Sequence, residues 1–246
     1  MARNAGTYVA PHAVNLIVHR NNQRLDEDLA TVVDHRVPLV ITSVGKPGDI
    51  ADAVHGYGGT LFHDVTNVRH AQKALESRAD GLILVCAGAG GHAGTTNPFA
   101  LVPEVRSFFD GPVILSGCIS DGRSIRAAQT LGADLAYLGT RFIATEEANA
   151  PPLYKETILD SGAADITYTP EFSGIPGSYL TKSIVNAGLD PADLLLPGQS
   201  ANREYRSGQD KPKAWSTIWG AGQGVGTISE VLPAAELAQR LKAEYE

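Results

Sequence analysis

Six short runs of β-branched and aliphatic residues recur along the chain, each parted from the next by a stretch of helical period. This alternation constrains the fold more than any other feature. The runs cover 14–19, 38–44, 60–64, 81–86, 112–116 and 135–139. Nearly continuous apolar runs alternating with helices are the pattern of βα units on a parallel sheet. Asn67 stands as an N-cap before a helix over 68–78, and Ser120-Asp121 opens a helix over 122–131 that Gly132 closes as a left-handed C-cap would. Such units build either an open doubly wound sheet or a closed barrel. Glycines at the C-terminal ends of successive strands, and a long amphipathic stretch over 229–245 suited to an outer helix, favour the barrel.

A chain of 246 residues, 43% hydrophobic and 19% charged, is of a length for one α/β core, so one domain over 1–246 is expected. The region 148–226 stands apart: it is rich in Pro, Gly, Ser and Thr, has no convincing strand, and reads as a cap of helices and loops. Twenty Lys and Arg against 27 Asp and Glu leave a net charge of −7 with no long basic run, which argues against nucleic acid and for a small-molecule partner. The two cysteines, Cys86 and Cys118, each lie in an apolar run that reads as a buried strand. Neither a disulfide framework nor a metal cluster is expected from them, and a reducing, cytoplasmic setting fits. The first twenty residues carry no apolar signal core, and no run approaches the ~20 apolar residues of a membrane helix.

The sharpest local signal is the stretch 86–94, CAGAGGHAG, which follows an apolar strand. Glycines there let the backbone approach a flat or phosphorylated ligand. His92 within it would stand at the C-terminal face of a barrel, where a group titrating near neutrality can accept or donate a proton. The same run also reads as a flexible loop with a solvated histidine. Two later strand ends, Ser116-Gly117-Cys118-Ile119 and Leu138-Gly139-Thr140-Arg141, could aim backbone N–H groups at one anion, with helix N-termini favouring the negative charge. The plainer alternative is that Gly117 and Gly139 only make tight turns.

The stretches GAGGHAG (88–94), PVILSGCISDGRSIRAAQTLGADLAYLGTRFIATEEA (112–148) and WGAGQGVGTISEV (219–231) resemble the nitronate monooxygenase family, and the similarity runs from about residue 14 to the C-terminus. The resemblance implies a TIM-type (β/α) barrel of the FMN-binding kind that oxidises alkyl nitronates, such as propionate 3-nitronate, with molecular oxygen to a carbonyl compound and nitrite. His92 matches the family's active-site histidine and Asn15 an asparagine near the flavin. Gly90, Gly91, Gly117, Cys118, Gly139 and Thr140 fall on cofactor-holding positions, the last four around the phosphate. Gln223 lies in a loop that the family folds towards the site. The expected partners are a small-molecule substrate and oxygen, with a homo-oligomer left open.

The sequence departs from the family pattern in four places. Cys118 stands where a second glycine is usual, which suits a cysteine whose φ is negative and whose N–H alone meets the phosphate. Asp64 replaces a Lys or Gln near the flavin, where a carboxylate opposes negative charge. Val85 replaces a polar residue. The first two βα units of the family barrel have no counterpart, so six strands face the task of eight. Two alternatives follow: an NAD(P)H-dependent flavin reductase of the enoyl-thioester reductase type, and a non-catalytic barrel remnant.

Other conspicuous residues read as structural. His12, His19, His35, His55 and His70 lack metal-ligand spacing, whereas His63, at a strand end, could face the site. Glu146-Glu147 reads as a solvated helix start. Trp215 and Trp219 read as packing for the cap.

Overall fold

The computed structural model describes residues 11–19, 21–196, 198 and 215–246. It divides into two compact units: Met1–Ile83 with Phe109–Val113, and Leu84–Phe108 with Ile114–Glu246.

In the first unit, strands β1 (Ala13–Ile17), β2 (Leu39–Ser43) and β3 (Thr60–Val65) pair in parallel, with Ala13 opposite Leu39 and Leu39 opposite Thr60. Helices α1 (Leu25–Asp34), α2 (Gly48–Gly56) and α3 (Val68–Glu76) connect them and lead to β4 (Gly81–Val85). The expected strands are present with ends moved by one or two residues. Asn67 caps α3 as expected, its side chain accepting from the His70 N–H at 2.8 Å. Leu16, Val32, Val37, Val40, Ile50, Ala51, Val54 and Leu61 form one buried cluster. Leu61 and Val40 are wholly buried, so truncating Leu61 to Ala would cost about 2–5 kcal/mol.

In the second unit, β6 (Val113–Ser116) and β7 (Leu135–Tyr137) pair in parallel, Ile114 opposite Leu135. Between them runs α5 (Gly122–Leu131), preceded in the chain by α4 (Pro98–Arg106). A capping box opens α5, where the Asp121 carboxylate accepts from the Ser124 N–H and Ser124 Oγ accepts from the Asp121 N–H. Gly132 closes it at φ +119°, as the sequence reading requires. The C-terminal helix, α9 (Ala234–Tyr245), packs on α5. Gly122 permits the close approach: any Cβ there would collide with the backbone of α9.

Several expectations need correction. The region 148–226 holds two strands that were not expected, β8 (Ile166–Thr169) and β9 (Gly177–Leu180), which pair antiparallel with each other. Their Ile, Thr and Tyr residues suit a pleated surface, but each strand is four residues long and bracketed by Pro and Gly, which hides the pattern. Helices α7 (Pro152–Leu159) and α8 (Thr181–Asn186) flank them; residues 199–214 of this region lie outside the described residues. The C-terminal helix begins at Ala234 rather than 229, because Leu232 is held in a parallel bridge to Thr145 and Pro233 takes the N-cap. Glu146-Glu147 does not open a helix; the Glu147 carboxylate accepts from the Ala234 N–H at 2.9 Å and so caps α9. Cys86 is buried just past β4, but Cys118 lies beyond β6 and is exposed. Among the described residues no helix is long and apolar enough to cross a membrane, and no group of His, Cys, Asp or Glu is placed to hold a metal ion.

Candidate active site

In the second unit the chain leaves β4 through a turn in which the Ala89 N–H bonds to the Cys86 carbonyl at 3.2 Å, with Gly88 at φ +82°. It then enters a two-residue strand, β5 (Gly91–His92), which pairs antiparallel with β9, His92 opposite Gly177. His92 therefore sits on a sheet edge rather than on a free loop. A second glycine strip, residues 220–224, lies along the first. The Gln223 N–H donates to the Gly88 carbonyl at 2.8 Å and the Gly222 N–H to Thr140 Oγ1 at 2.9 Å. A Cβ on Gly90 would stand 2.7 Å from the Gly222 nitrogen, so only glycine allows the two backbones to meet.

These strips and the ends of β6 and β7 border an open cavity of about 580 Å³, within the range of small-molecule sites. Gly90, Gly91, Gly117, Cys118, Gly139 and Thr140 all line it, and among the described residues no charged side chain does. At Gly139 the space a Cβ would take is open. Among the described residues the N–H groups of Gly117, Cys118, Gly139 and Thr140 donate to no other protein group. Four unpaired donors on two adjacent strand ends form a backbone cradle of the type that suits a phosphate. The first turn of α5 does not add to it: the Gly122 N–H is bonded to the Glu244 carboxylate at 2.9 Å and the Ser124 N–H to Asp121 at 2.7 Å. The helix following β7, α6 (Thr140–Ile143), has only four residues. The expected help from helix N-termini is thus corrected, because carboxylates of the protein itself already satisfy α5. Cys118 is a second correction: its φ is +56°, not negative, so it holds the left-handed geometry of the glycine it replaces.

His92 borders this cavity through Gly91 without being part of its wall. Its Nε2 lies 2.8 Å from Ser173 Oγ, which donates its single proton to the Ile175 carbonyl at 3.0 Å. With Ser173 donating to that carbonyl, the matching tautomer carries its proton on Nε2 and leaves Nδ1 as the acceptor. Burial holds the imidazole pKa below its ordinary value, which keeps the ring neutral at pH 7. Trp215 was expected to pack inside the cap, yet it is 50% exposed, lines the cavity and lies over Gly91 and Gly220. Trp219 does pack, 9% exposed and stacked on Tyr154 with ring centroids 5.0 Å apart. Tyr154 also lines the cavity; burial pushes its phenol up to about 12, and its hydroxyl donates to the Gly220 carbonyl.

Sequence reasoning missed Ser173, Tyr154 and the position of Trp215. Ser173 lies 81 residues beyond His92, and no local spacing announces it. Gln223 approaches the glycine loop through its backbone, and its side chain is not in the cavity wall. Asn15 and His63 belong to the first unit. The Asn15 carboxamide oxygen accepts from Ser43 Oγ at 3.1 Å. His63 is 5% exposed and bonded to Thr42 Oγ1 at 2.8 Å, with its pKa lowered to about 4 chiefly by burial. Next to it, Asp64 keeps Oδ1 buried without a partner among the described residues, and burial raises its pKa to about 7.

Fold and site together define an α/β protein of the TIM-barrel kind, built of parallel βα units with a glycine-lined cavity at its strand ends. The chain belongs to the nitronate monooxygenase family, whose sequence profile matches residues 4–244. It is 27% identical over 217 residues to a nitronate monooxygenase from Neurospora crassa, a match covering 81% of this chain and 57% of that protein. The chain thus spans little more than half the length of that relative. Among solved structures it is similar to FabK from Thermotoga maritima, with a TM-score of 0.76 and 25% identity over 96% of this chain and 76% of that one. It is also similar to a nitroalkane oxidase from Streptomyces ansochromogenes, with a TM-score of 0.69 and 26% identity over 89% of this chain and 67% of that one.

Proposed function

We propose that this chain is an FMN-dependent oxidoreductase that oxidises alkyl nitronates with molecular oxygen, releasing a carbonyl compound and nitrite. The observation that carries the reading is the cavity lined by Gly117, Cys118, Gly139 and Thr140, whose backbone N–H groups have no protein acceptor and whose wall has no charged side chain among the described residues. The fit is that of a phosphate handle, and the same residues would hold the phosphate of FMN, with Gly90 and Gly91 allowing close approach. FMN, when bound, supplies the redox chemistry by accepting electrons from the nitronate and passing them to oxygen.

The protein's own part is orientation, proton handling and exclusion of water. The neutral ring of His92 offers Nδ1 as a base for the carbon acid of a nitroalkane, and Ser173 fixes the ring by accepting from Nε2. Trp215, over Gly91, meets the imidazole edge-on and shares in burying it. Family membership and the likeness to a nitroalkane oxidase support the choice of substrate class.

The test is the visible absorption spectrum of the purified chain with and without added FMN, followed by nitrite release from a nitronate under oxygen. Stoichiometric flavin and nitrite are expected. His92→Ala should retain flavin while turnover of the neutral nitroalkane falls about 100-fold or more. Absence of flavin binding after FMN is added would overturn the reading. The likeness to FabK favours a second reading, an NAD(P)H-dependent flavin reductase, for which rapid anaerobic bleaching of the flavin by NAD(P)H is the sign.

A further inference from the structure

Arg141 follows directly on Gly139 and Thr140, which line the cavity, yet it is not part of the cavity wall and is only 4% exposed. Its Nη1 donates to the Ala144 carbonyl at 3.1 Å and to the Glu230 carbonyl at 3.4 Å. The first bond closes the turn that begins at Gly139 and Thr140. The second ties that turn to the chain beyond the glycine strip. Thr140 Oγ1 accepts from the Gly222 N–H, so two neighbouring residues hold both ends of the segment 222–230 against the end of β7.

Among the described residues the guanidinium has no carboxylate within ion-pair distance: the Glu230 carboxylate pairs with Arg240 at 2.6 Å, and the Glu244 carboxylate accepts from the Gly122 N–H. Burial pulls the Arg141 pKa below its ordinary value, with Arg240 adding and Glu230 and Glu244 opposing. A buried cation with only carbonyl partners is costly, and an anion bound nearby offsets that cost.

We propose that Arg141 is a positioning residue that makes the cradle selective for a phosphorylated ligand: it holds the turn that presents the Gly139 and Thr140 N–H groups, and it sets a buried positive charge one residue from them. The proposal rests on the reading of the cavity as the phosphate site of FMN. Its effect is confined to the phosphate. Riboflavin, which has the same ring and side chain without the phosphate, gains nothing from Arg141. A lysine in its place keeps the charge but lacks the planar fork, so it holds the two carbonyls less well.

The experiment measures Kd for FMN and for riboflavin, by quenching of flavin fluorescence, in the full chain, in Arg141→Met and in Arg141→Lys, with the folding of each checked by its urea midpoint. The parent should bind FMN the more tightly. In Arg141→Met the Kd for FMN should rise about 10-fold or more while that for riboflavin stays within about twofold. Arg141→Lys should fall between, with an FMN preference about threefold below the parent. Equal losses for the two flavins would mark a general loosening of the fold and overturn the proposal, as would a ratio that neither substitution moves. If Arg141→Met does not fold, Arg141→Lys decides by the same ratio. A parent that binds neither flavin overturns the functional reading and this proposal together, whereas a parent that binds FMN with an unmoved ratio in the variants overturns the proposal alone.

Discussion

The imidazole of His92 meets the indole of Trp215 edge-on, with ring centroids 5.2 Å apart and planes at 86°. The indole is part of the environment that buries His92, and burial is what lowers the imidazole pKa. Trp215→Ala should therefore move the His92 pKa upward, towards its ordinary value, without displacing the Ser173 hydrogen bond. Proton NMR titration of the His92 ring in both proteins measures this. A pKa that stays put in the variant would mean that β5 and the 170–176 loop, not Trp215, set the environment of the ring.

Gly88 and Cys118 are sterically coupled. A Cβ on Gly88 would stand far inside van der Waals contact distance of Cys118 Sγ and 2.9 Å from Gln223 Oε1, at a φ of +82° that disfavours any side chain. Gly88→Ala alone should cost about 2–3 kcal/mol, part from φ and part from the clash. Cys118→Gly removes a side chain from a residue at φ +56° and should be neutral or stabilising by about 1 kcal/mol. In the double variant the clash with sulfur is gone, so its stability should exceed the sum of the single effects. A thermal or urea double-mutant cycle reads the coupling, and strict additivity would refute it.

His63 and Asp64 act on acid stability with opposite signs. The His63 pKa is lowered to about 4 by burial, with His70 adding and a hydrogen bond to Gly45 opposing. Between pH 6.5 and 4 the unfolded chain binds this proton more readily than the native one, so stability is lost as pH falls through that window. The loss is about 2.5 kcal/mol by pH 4.5. The Asp64 pKa is raised to about 7 by burial, so the native state holds its proton between pH 3.8 and 7, and stability is lost as pH rises through that range. Asp64→Asn should therefore be more stable than the parent at pH 8, by about 3 kcal/mol, and indistinguishable from it near pH 3. His63→Gln should lose the acid-side decline. Urea midpoints at pH 3, 4.5, 6 and 8 test both, and a pH-independent difference between Asp64→Asn and the parent would sink the assignment.

Local signals fixed much of the fold in advance. Asn67, Asp121 and Gly132 stop and start helices through hydrogen bonds and backbone angles that span only a few residues, so the caps are where the sequence places them. The six apolar runs became strands because burial of β-branched side chains is legible in a short window. The strands β8 and β9 were not legible, since four residues between Pro and Gly carry too little pattern. The pairing of β9 with β5 is made across about 85 residues of chain.

For the candidate site, the sequence by itself singled out the residues that the proposed function uses: the glycines that let two backbones meet, the strand ends at 117–118 and 139–140, and His92. Tertiary structure alone decided the rest. It gave His92 its Ser173 partner and Trp215 neighbour, turned Cys118 to a positive φ, filled the N-terminus of α5 with the protein's own carboxylates, and set the buried Arg141 on the carbonyls of Ala144 and Glu230. The physical reason is range. Caps, turns and apolar periodicity are interactions between near neighbours in sequence, whereas burial, pKa and cavity walls depend on residues that only folding brings together.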